Sequence, residues 1–261
     1  MNEGDPQTKR KTAVGVFVKA PREGYSKTRL CPPLKQHESP ALSRCFIQDT
    51  AENISTAFSN KAAVARVAIY APIGSEEEVR GLLPDDFLTM PQRGELLGDR
   101  LHNATLDLFA KGFDSVCLMG ADSPTLPPSY VEQMIDNLNL TKEDIVIGPT
   151  FDGGYYAIGL RAPCGRLFAD IDWSTPRVFE QTKERLGELN LSWKALPIWY
   201  DVDDRDGLEL LLEHLFVEQD ICKIDLPRQP VHTRALLESI IRSEGSARIW
   251  PSRKSQSNLL P

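Results

Sequence analysis

The stretch Leu118-Met119-Gly120-Ala121-Asp122-Ser123-Pro124-Thr125-Leu126-Pro127 ends an apolar run and then delivers a carboxylate, a hydroxyl and two prolines. Proline cannot extend a central strand, and the residue before it avoids the helical region. Asp122 therefore falls in a stiff loop at the carboxyl end of a strand, the edge at which open α/β sheets bind ligands. A second acidic cluster, Asp201, Asp203 and Asp204, also follows a strand-like stretch. Magnesium takes one or two carboxylates, with phosphates completing a near-octahedral shell. Aspartates from two strand ends meet that demand, and gathering them without a cation is costly through like-charge repulsion. Taken alone, Asp122 reads more simply as an aspartate capping its own loop. The pair points instead to a divalent metal that carries a nucleotide phosphate.

Cationic chemistry comes earlier in the chain. Lys19, Arg22, Lys27 and Arg29 lie in one loop after the first strand, with Gly24 for backbone freedom. Such a loop suits the oxygens of a phosphate chain, although basic loops are commonly just solvated surface. It is not a Walker loop, and no G-x-G-x-x-G occurs. Asp152-Gly153-Gly154 reads equally as a hairpin turn or as backbone that a ligand approaches closely. Trp173-Ser174-Thr175 stands at an expected helix start, fit for an anion or for a plain cap beside a core tryptophan. Gln92-Arg93-Gly94 alone is a turn before a capped helix. Cys31 has no base near it in sequence and is read as incidental.

These residues need elements to hold them. Residues 13–18, 63–71, 87–90, 115–119, 145–147, 155–160 and 192–200 read as strands. Leu42, Cys45, Phe46, Ile54, Ala57 and Phe58 mark a first long helix. Further helical periodicity covers residues 75–83, 97–108, 131–138, 174–187, 208–216 and 233–241. The link between residues 147 and 155 is too short for a parallel crossover, so one strand there enters antiparallel or in a small ribbon. The expected fold is a three-layer α/β/α sandwich with a mostly parallel sheet.

The 261 residues, 41% hydrophobic and 26% charged, fit one decorated soluble domain. A formal net charge of −7 argues against a general nucleic-acid binder. Five scattered cysteines and four dispersed histidines make a zinc site an unlikely reading of the pattern. No segment has signal-peptide or membrane-spanning character, so a cytoplasmic protein is expected.

Lys19-Ala20-Pro21, Gly24, Lys27-Thr28-Arg29-Leu30, Gly120 to Leu126, Gly148-Pro149, Asp152 to Tyr156, Trp173-Ser174-Thr175 and Asp201-Val202-Asp203 occur in this order. Together they resemble the DUF2064 family, grouped with glycosyltransferases of the GT-A, or nucleotide-diphospho-sugar transferase, superfamily. The resemblance covers about residues 12–216 and leaves 217–261 as a C-terminal extension, partly helical and then loose. It implies Mg²⁺ or Mn²⁺ held by Asp122 and Asp203. It places Lys19, Arg22, Gly24, Lys27 and Arg29 on the phosphates and Gln92 and Gly94 near the base. Gly153, Gly154, Trp173, Ser174 and Thr175 fall around the donor, and Asp122, Asp152 and Lys27 are the candidates for a direct part in the chemistry. The implied function is glycosyl transfer from a nucleotide sugar to a small-molecule acceptor. Nucleotidylyl transfer from a nucleoside triphosphate, suggested by a Lys-Thr-Arg-Leu similar to the loop of phospholactate guanylyltransferases, remains the alternative. A non-catalytic nucleotide-binding module is the third.

Overall fold

The structure, a computed structural model, describes residues 10–141, 143–217 and 229–250. Its centre is a seven-stranded sheet. The strands are β1 (Thr12–Lys19), β2 (Val64–Ala71), β3 (Phe87–Pro91), β4 (Ser115–Gly120), β5 (Ile145–Pro149), β6 (Tyr155–Leu160) and β7 (Trp193–Ala195). They lie in the order β3-β2-β1-β4-β6-β5-β7. β6 alone runs against its neighbours β4 and β5, while the other pairings are parallel. The short link after β5 therefore makes a hairpin, as its length requires.

Apolar residues run through the inner strands because both faces are covered. Val14, Val16 and Val18 of β1 point into one core and Ala13 into the other. The first core is closed by α1 (Glu38–Ala57), α4 (Pro128–Asn139), α6 (Arg205–Phe216) and α7 (Val231–Glu244). The second is closed by α3 (Leu97–Ala110) and α5 (Val178–Glu188). A short α2 (Glu76–Arg80) and a single-turn α8 (Ser246–Ile249) complete the α-helices of the described residues. Among those residues no helix is long and apolar enough to cross a membrane.

β1 has β2 on one side and β4 on the other, so the chain reverses its winding at the β1/β4 boundary. Such a boundary opens a crevice outside the carboxyl ends of the strands. The basic loop leaves β1 there and the Asp122 loop leaves β4 beside it.

Three expectations are corrected. The strand expected over 192–200 is β7 only as far as Ala195, and the chain touches the sheet again only as a bridge between Thr150 and Trp199. Pro197 stands between the two contacts and has no N–H to give a ladder. The helix expected from Ser174 begins at Val178, because Ser174 has φ +63° and breaks the approach. The C-terminal segment is also more integrated than an appendage. Leu237, Ile240, Ile249 and Trp250 are buried in the same core as Leu42 and Phe46 of α1. Asp49 of α1 accepts the first amides of α7, from His232 at 3.0 Å and Thr233 at 2.8 Å. Of the ends expected to be loose, 1–11 and 245–261, residues 1–9 and 251–261 lie outside the described residues, as does Cys222, while α8 and the buried Trp250 occupy 246–250.

Candidate active site

Lys27 is the point at which the two acidic loops meet. Its backbone sits at φ 52°, ψ 38°, a left-handed conformation unusual for a residue with a side chain. The ammonium Nζ lies 2.5 Å from Asp122 Oδ1 and 2.6 Å from Asp203 Oδ1. It also donates to the carbonyl of Val202 at 2.9 Å. Three acceptors thus match the three N–H bonds of an ammonium. Beneath it, the ring of Phe46 on α1 lies 5.4 Å away and adds a cation–π contact. Only 7% of the Lys27 side chain is exposed, against 46% for each aspartate. The cation is therefore sunk into the crevice while the carboxylates face outward.

The electrostatics follow from that burial. Desolvation works against the Lys27 charge, but Asp122 and Asp203 outweigh it and raise its pKa above the ordinary lysine value. Burial likewise works against an ionised Asp203, yet Lys27, with Arg29 and Lys19 further off, holds it below the usual carboxylate range. Asp201 has no such cation. Burial first, and then the fields of Asp152, Asp203 and Asp122, push it up to about 7. Four carboxylates thus share one rim, with a single buried ammonium among them.

Each member of the triplet Asp201, Asp203 and Asp204 has its own work. Asp204 caps α6 by accepting the amide of Gly207 at 3.0 Å, Asp203 meets Lys27, and Asp201 lies half-buried beside them. The loops themselves are pinned together. Val202 N donates to Asp122 O at 2.9 Å. Thr125 Oγ1 donates to the Tyr200 hydroxyl at 2.8 Å, Trp199 Nε1 reaches Thr125 Oγ1 at 3.3 Å, and the Tyr200 hydroxyl meets His214 Nδ1 at 3.0 Å.

The rest of the basic loop divides. Arg22 pairs with Glu78 of α2 at 3.3 Å, and both side chains are well exposed. Lys19 and Arg29 are exposed at the rim, within electrostatic reach of Asp203, and neither pairs closely with a carboxylate among the described residues. Gly24 turns the loop at φ 74° in open space.

Other expected site residues are placed less favourably for ligand contact. The Gln92 side chain is buried, its Nε2 donating to the carbonyls of Val18 at 3.2 Å and Ile69 at 2.9 Å. It ties β1 to β2, and its Oε1 accepts from Arg100 Nη1 at 3.4 Å. Gly94, at φ 123°, folds against Asp99 of α3. Gly153, at φ 87°, lies against the loop before α5, where an added Cβ would stand 2.1 Å from the carbonyl oxygen of Pro176. Its smallness serves packing rather than an open approach to backbone. An added Cβ on Gly154 would stand 3.1 Å from Thr150 Oγ1 and 3.3 Å from Asp152 Oδ1, so it too is enclosed by its own turn. Asp152 itself is exposed, with Oδ1 accepting from Gly154 N at 3.0 Å and from Thr150 Oγ1. Trp173 packs edge-on to Tyr155, ring centroids 6.2 Å apart, and against Gly98 of α3. Thr175 Oγ1 donates to Asp172 O at 2.7 Å and accepts from Arg177 N at 3.3 Å, while Ser174 is exposed.

Phe46, Val202, Tyr200 and His214 escape sequence reasoning. An aromatic on an amphipathic helix and a main-chain carbonyl carry no signal of a distant lysine. The nearest clue is Trp199-Tyr200 directly before the acidic triplet.

The family model described as "Uncharacterized protein conserved in bacteria (DUF2064)" matches residues 54–175. A provisionally named nucleotide-diphospho-sugar transferase from Desulfovibrio desulfuricans G20 has a crystal structure that superposes with a TM-score of 0.76, at 30% identity, over 91% of this chain and 96% of that one. The chain belongs to the DUF2064 family. The DUF2064 match runs from the end of α1 to the Trp173-Ser174-Thr175 segment and includes the Asp122 loop. CMP:2-keto-3-deoxy-manno-octonic acid synthetase in complex with CTP superposes at a TM-score of 0.50 and 13% identity, over 77% of this chain and 96% of its own, a likeness of fold. No curated protein matches the DUF2064 chain.

Proposed function

We propose that this protein is a metal-dependent transferase that takes a nucleotide sugar as donor and passes the glycosyl group to a small-molecule acceptor. The observation that carries this reading is the convergence of Asp122 and Asp203 on a single cation, here the ammonium of Lys27. The relative from Desulfovibrio, named for nucleotide-diphospho-sugar transfer, supports the choice of donor.

The donor set fits a hard divalent ion. Lys27 Nζ marks a place where two carboxylate oxygens accept one cation, and Asp201 and Asp152 add to the negative field there. Among the described residues no three His, Cys, Asp or Glu side chains form a cage for a metal. Magnesium and manganese sites of this kind take one or two carboxylates and draw the remaining oxygens from phosphate and water. Asp122 and Asp203 would hold Mg²⁺ or Mn²⁺, which when bound would offset charge on the departing diphosphate.

The chain's own groups supply the rest. Lys19 and Arg29 stand ready at the rim for the diphosphate, and Lys27 lies deeper between the two loops. An acceptor hydroxyl attacks the anomeric carbon, the bond from that carbon to the diphosphate oxygen breaks, and the hydroxyl proton passes to Asp152. Oδ1 of Asp152 is occupied by Thr150 and Gly154, so Oδ2 is the atom that receives it.

Nucleotidylyl transfer is the second reading, favoured by the three cations Lys19, Lys27 and Arg29 at one strand end, which suit a triphosphate. Phosphorus NMR of the protein with Mg²⁺, each nucleoside triphosphate and each UDP- or GDP-sugar separates the two. Free nucleoside diphosphate supports glycosyl transfer and pyrophosphate supports nucleotidylyl transfer. Binding with neither product would leave a nucleotide-binding module and overturn both.

A further inference from the structure

The C-terminal helices reach back to the turn that follows the basic loop. Arg248 of α8 donates through Nη2 to Glu38 Oε1 at 2.7 Å and through Nη1 to the carbonyl of Pro33 at 3.0 Å. Its Nε lies 3.0 Å from Glu244 Oε2 of α7, and Lys35 Nζ donates to Glu244 Oε1 at 2.6 Å. Glu38 is 7% exposed in its side chain, and its other oxygen accepts the backbone amide of Lys35 at 2.7 Å. Both carboxylate oxygens at the start of α1 are thereby engaged, one by the turn and one by the C-terminal arginine. A planar guanidinium with several fixed donors suits such a junction.

From Glu38 the path to the site is one residue long. Ser39 Oγ, buried, donates to the carbonyl of Ser26 at 2.9 Å, and Ser26 Oγ accepts the amide of Arg22 at 3.1 Å. Lys27 comes next in sequence, held in its left-handed conformation above Phe46 of the same helix. Leu30 and Leu34 anchor the intervening turn in the core, and Trp250, 2% exposed, anchors the residues after Arg248.

We infer that Arg248 is a positioning residue for the basic loop: it clamps the turn over residues 33–38 and so fixes the backbone that sinks Lys27 between the acidic loops and presents Arg29 to phosphate. The phosphate part of this statement rests on the proposed function; the clamp itself does not. A positively charged strap at the far end of the chain would thereby set the geometry of an anion site near its beginning, without touching the ligand.

The test uses full-length Arg248→Met, with Arg248→Lys as the milder variant should the first fail to fold. Hydrogen exchange is followed by mass spectrometry over residues 22–38 and over β4 as a reference. Inorganic tripolyphosphate and Mn²⁺ are titrated separately by calorimetry and by electron paramagnetic resonance. Exchange should accelerate over 22–38 and not over β4. Tripolyphosphate affinity should fall about tenfold, the scale of one charge-assisted contact, while Mn²⁺ affinity stays as in the wild type. Unchanged exchange over 22–38 in a folded variant would overturn the clamp. Equal losses of tripolyphosphate and Mn²⁺ binding, with faster exchange throughout, would reduce Arg248 to a general stabiliser and overturn the positioning role. Wild-type protein that ignores tripolyphosphate would refute the phosphate reading of the loop, while the exchange experiment would still decide the clamp.

Discussion

Val202 donates its amide to the carbonyl of Asp122 at 2.9 Å, and the carbonyl of the same Val202 accepts from Lys27 Nζ at 2.9 Å. One residue, through its N–H and its C=O, therefore links the loop after β4, the segment before α6 and the basic loop after β1. The separation of Asp122 and Asp203 is set by main chain, and the side chains are aimed from a fixed frame. Preorganisation of that kind is what an electrostatic site requires.

Replacing Lys27 with Met removes the only ammonium between two carboxylates that remain close together. After discounting for aspartates that are half-exposed, the loss should be about 1–2 kcal/mol in chelator. Added Mg²⁺ should raise the melting temperature of Lys27→Met by more than it raises that of the wild type, since the metal then replaces the missing charge. Equal shifts in a thermal-melt titration would count against a cation site at this position.

Neighbouring aspartates should separate cleanly. Asp204→Ala loses the cap of α6 and should cost about 1 kcal/mol, with nucleotide and metal binding retained. Asp203→Asn should do the reverse, keeping the fold and weakening metal-dependent binding. Paired chemical denaturation and calorimetry would show whether the two effects divide in this way.

Gly153→Ala puts a Cβ at a positive φ and against the carbonyl of Pro176. It should destabilise by about 2 kcal/mol or more. In a chain of this length that is a fall of roughly 2–4 °C for each kcal/mol. A variant that melts with the wild type would show that the hairpin and the loop before α5 separate freely.

Asp201 gives a pH signature for the metal-free protein. Its folded pKa is pushed up to about 7, above the unfolded value of roughly 3.9. A raised carboxylate contributes stability at low pH that is lost as pH rises through about 7. Asp201→Asn cannot ionise and escapes that loss. In chelator, its melting temperature relative to wild type should therefore rise between about pH 4 and 7 and level off above. A constant difference across that range would mean that Asp201 is neither desolvated nor repelled by its neighbours.

The sheet was legible because its strands are short apolar runs followed by glycine or proline, as in Ala13 to Val18 and Ser115 to Met119. The antiparallel entry of β6 followed from one short link. Asp122 and the acidic triplet were visible as carboxylates at strand ends. Their meeting through Lys27 was not, because the contacts join Lys27 to Asp122 and to Asp203, the latter 176 positions away, and depend on a left-handed backbone at a non-glycine residue. Gln92 shows the opposite limit. The family resemblance places it near the base, and only the tertiary fold reveals two strand-end carbonyls that claim its amide. Likewise Ser174-Thr175-Pro176 has the composition of a helix cap, but Thr175 closes a local turn on Asp172 and the helix begins later.

The central claim is that Asp122 and Asp203 together hold one divalent ion, and a Mn²⁺ titration followed by electron paramagnetic resonance in the presence of excess UDP tests it most directly. The account predicts that the wild type removes free Mn²⁺ signal in a one-to-one complex and that a folded Asp122→Asn, Asp203→Asn double variant leaves the signal unchanged from that of UDP alone. Equal Mn²⁺ uptake by the wild type and the double variant would contradict it.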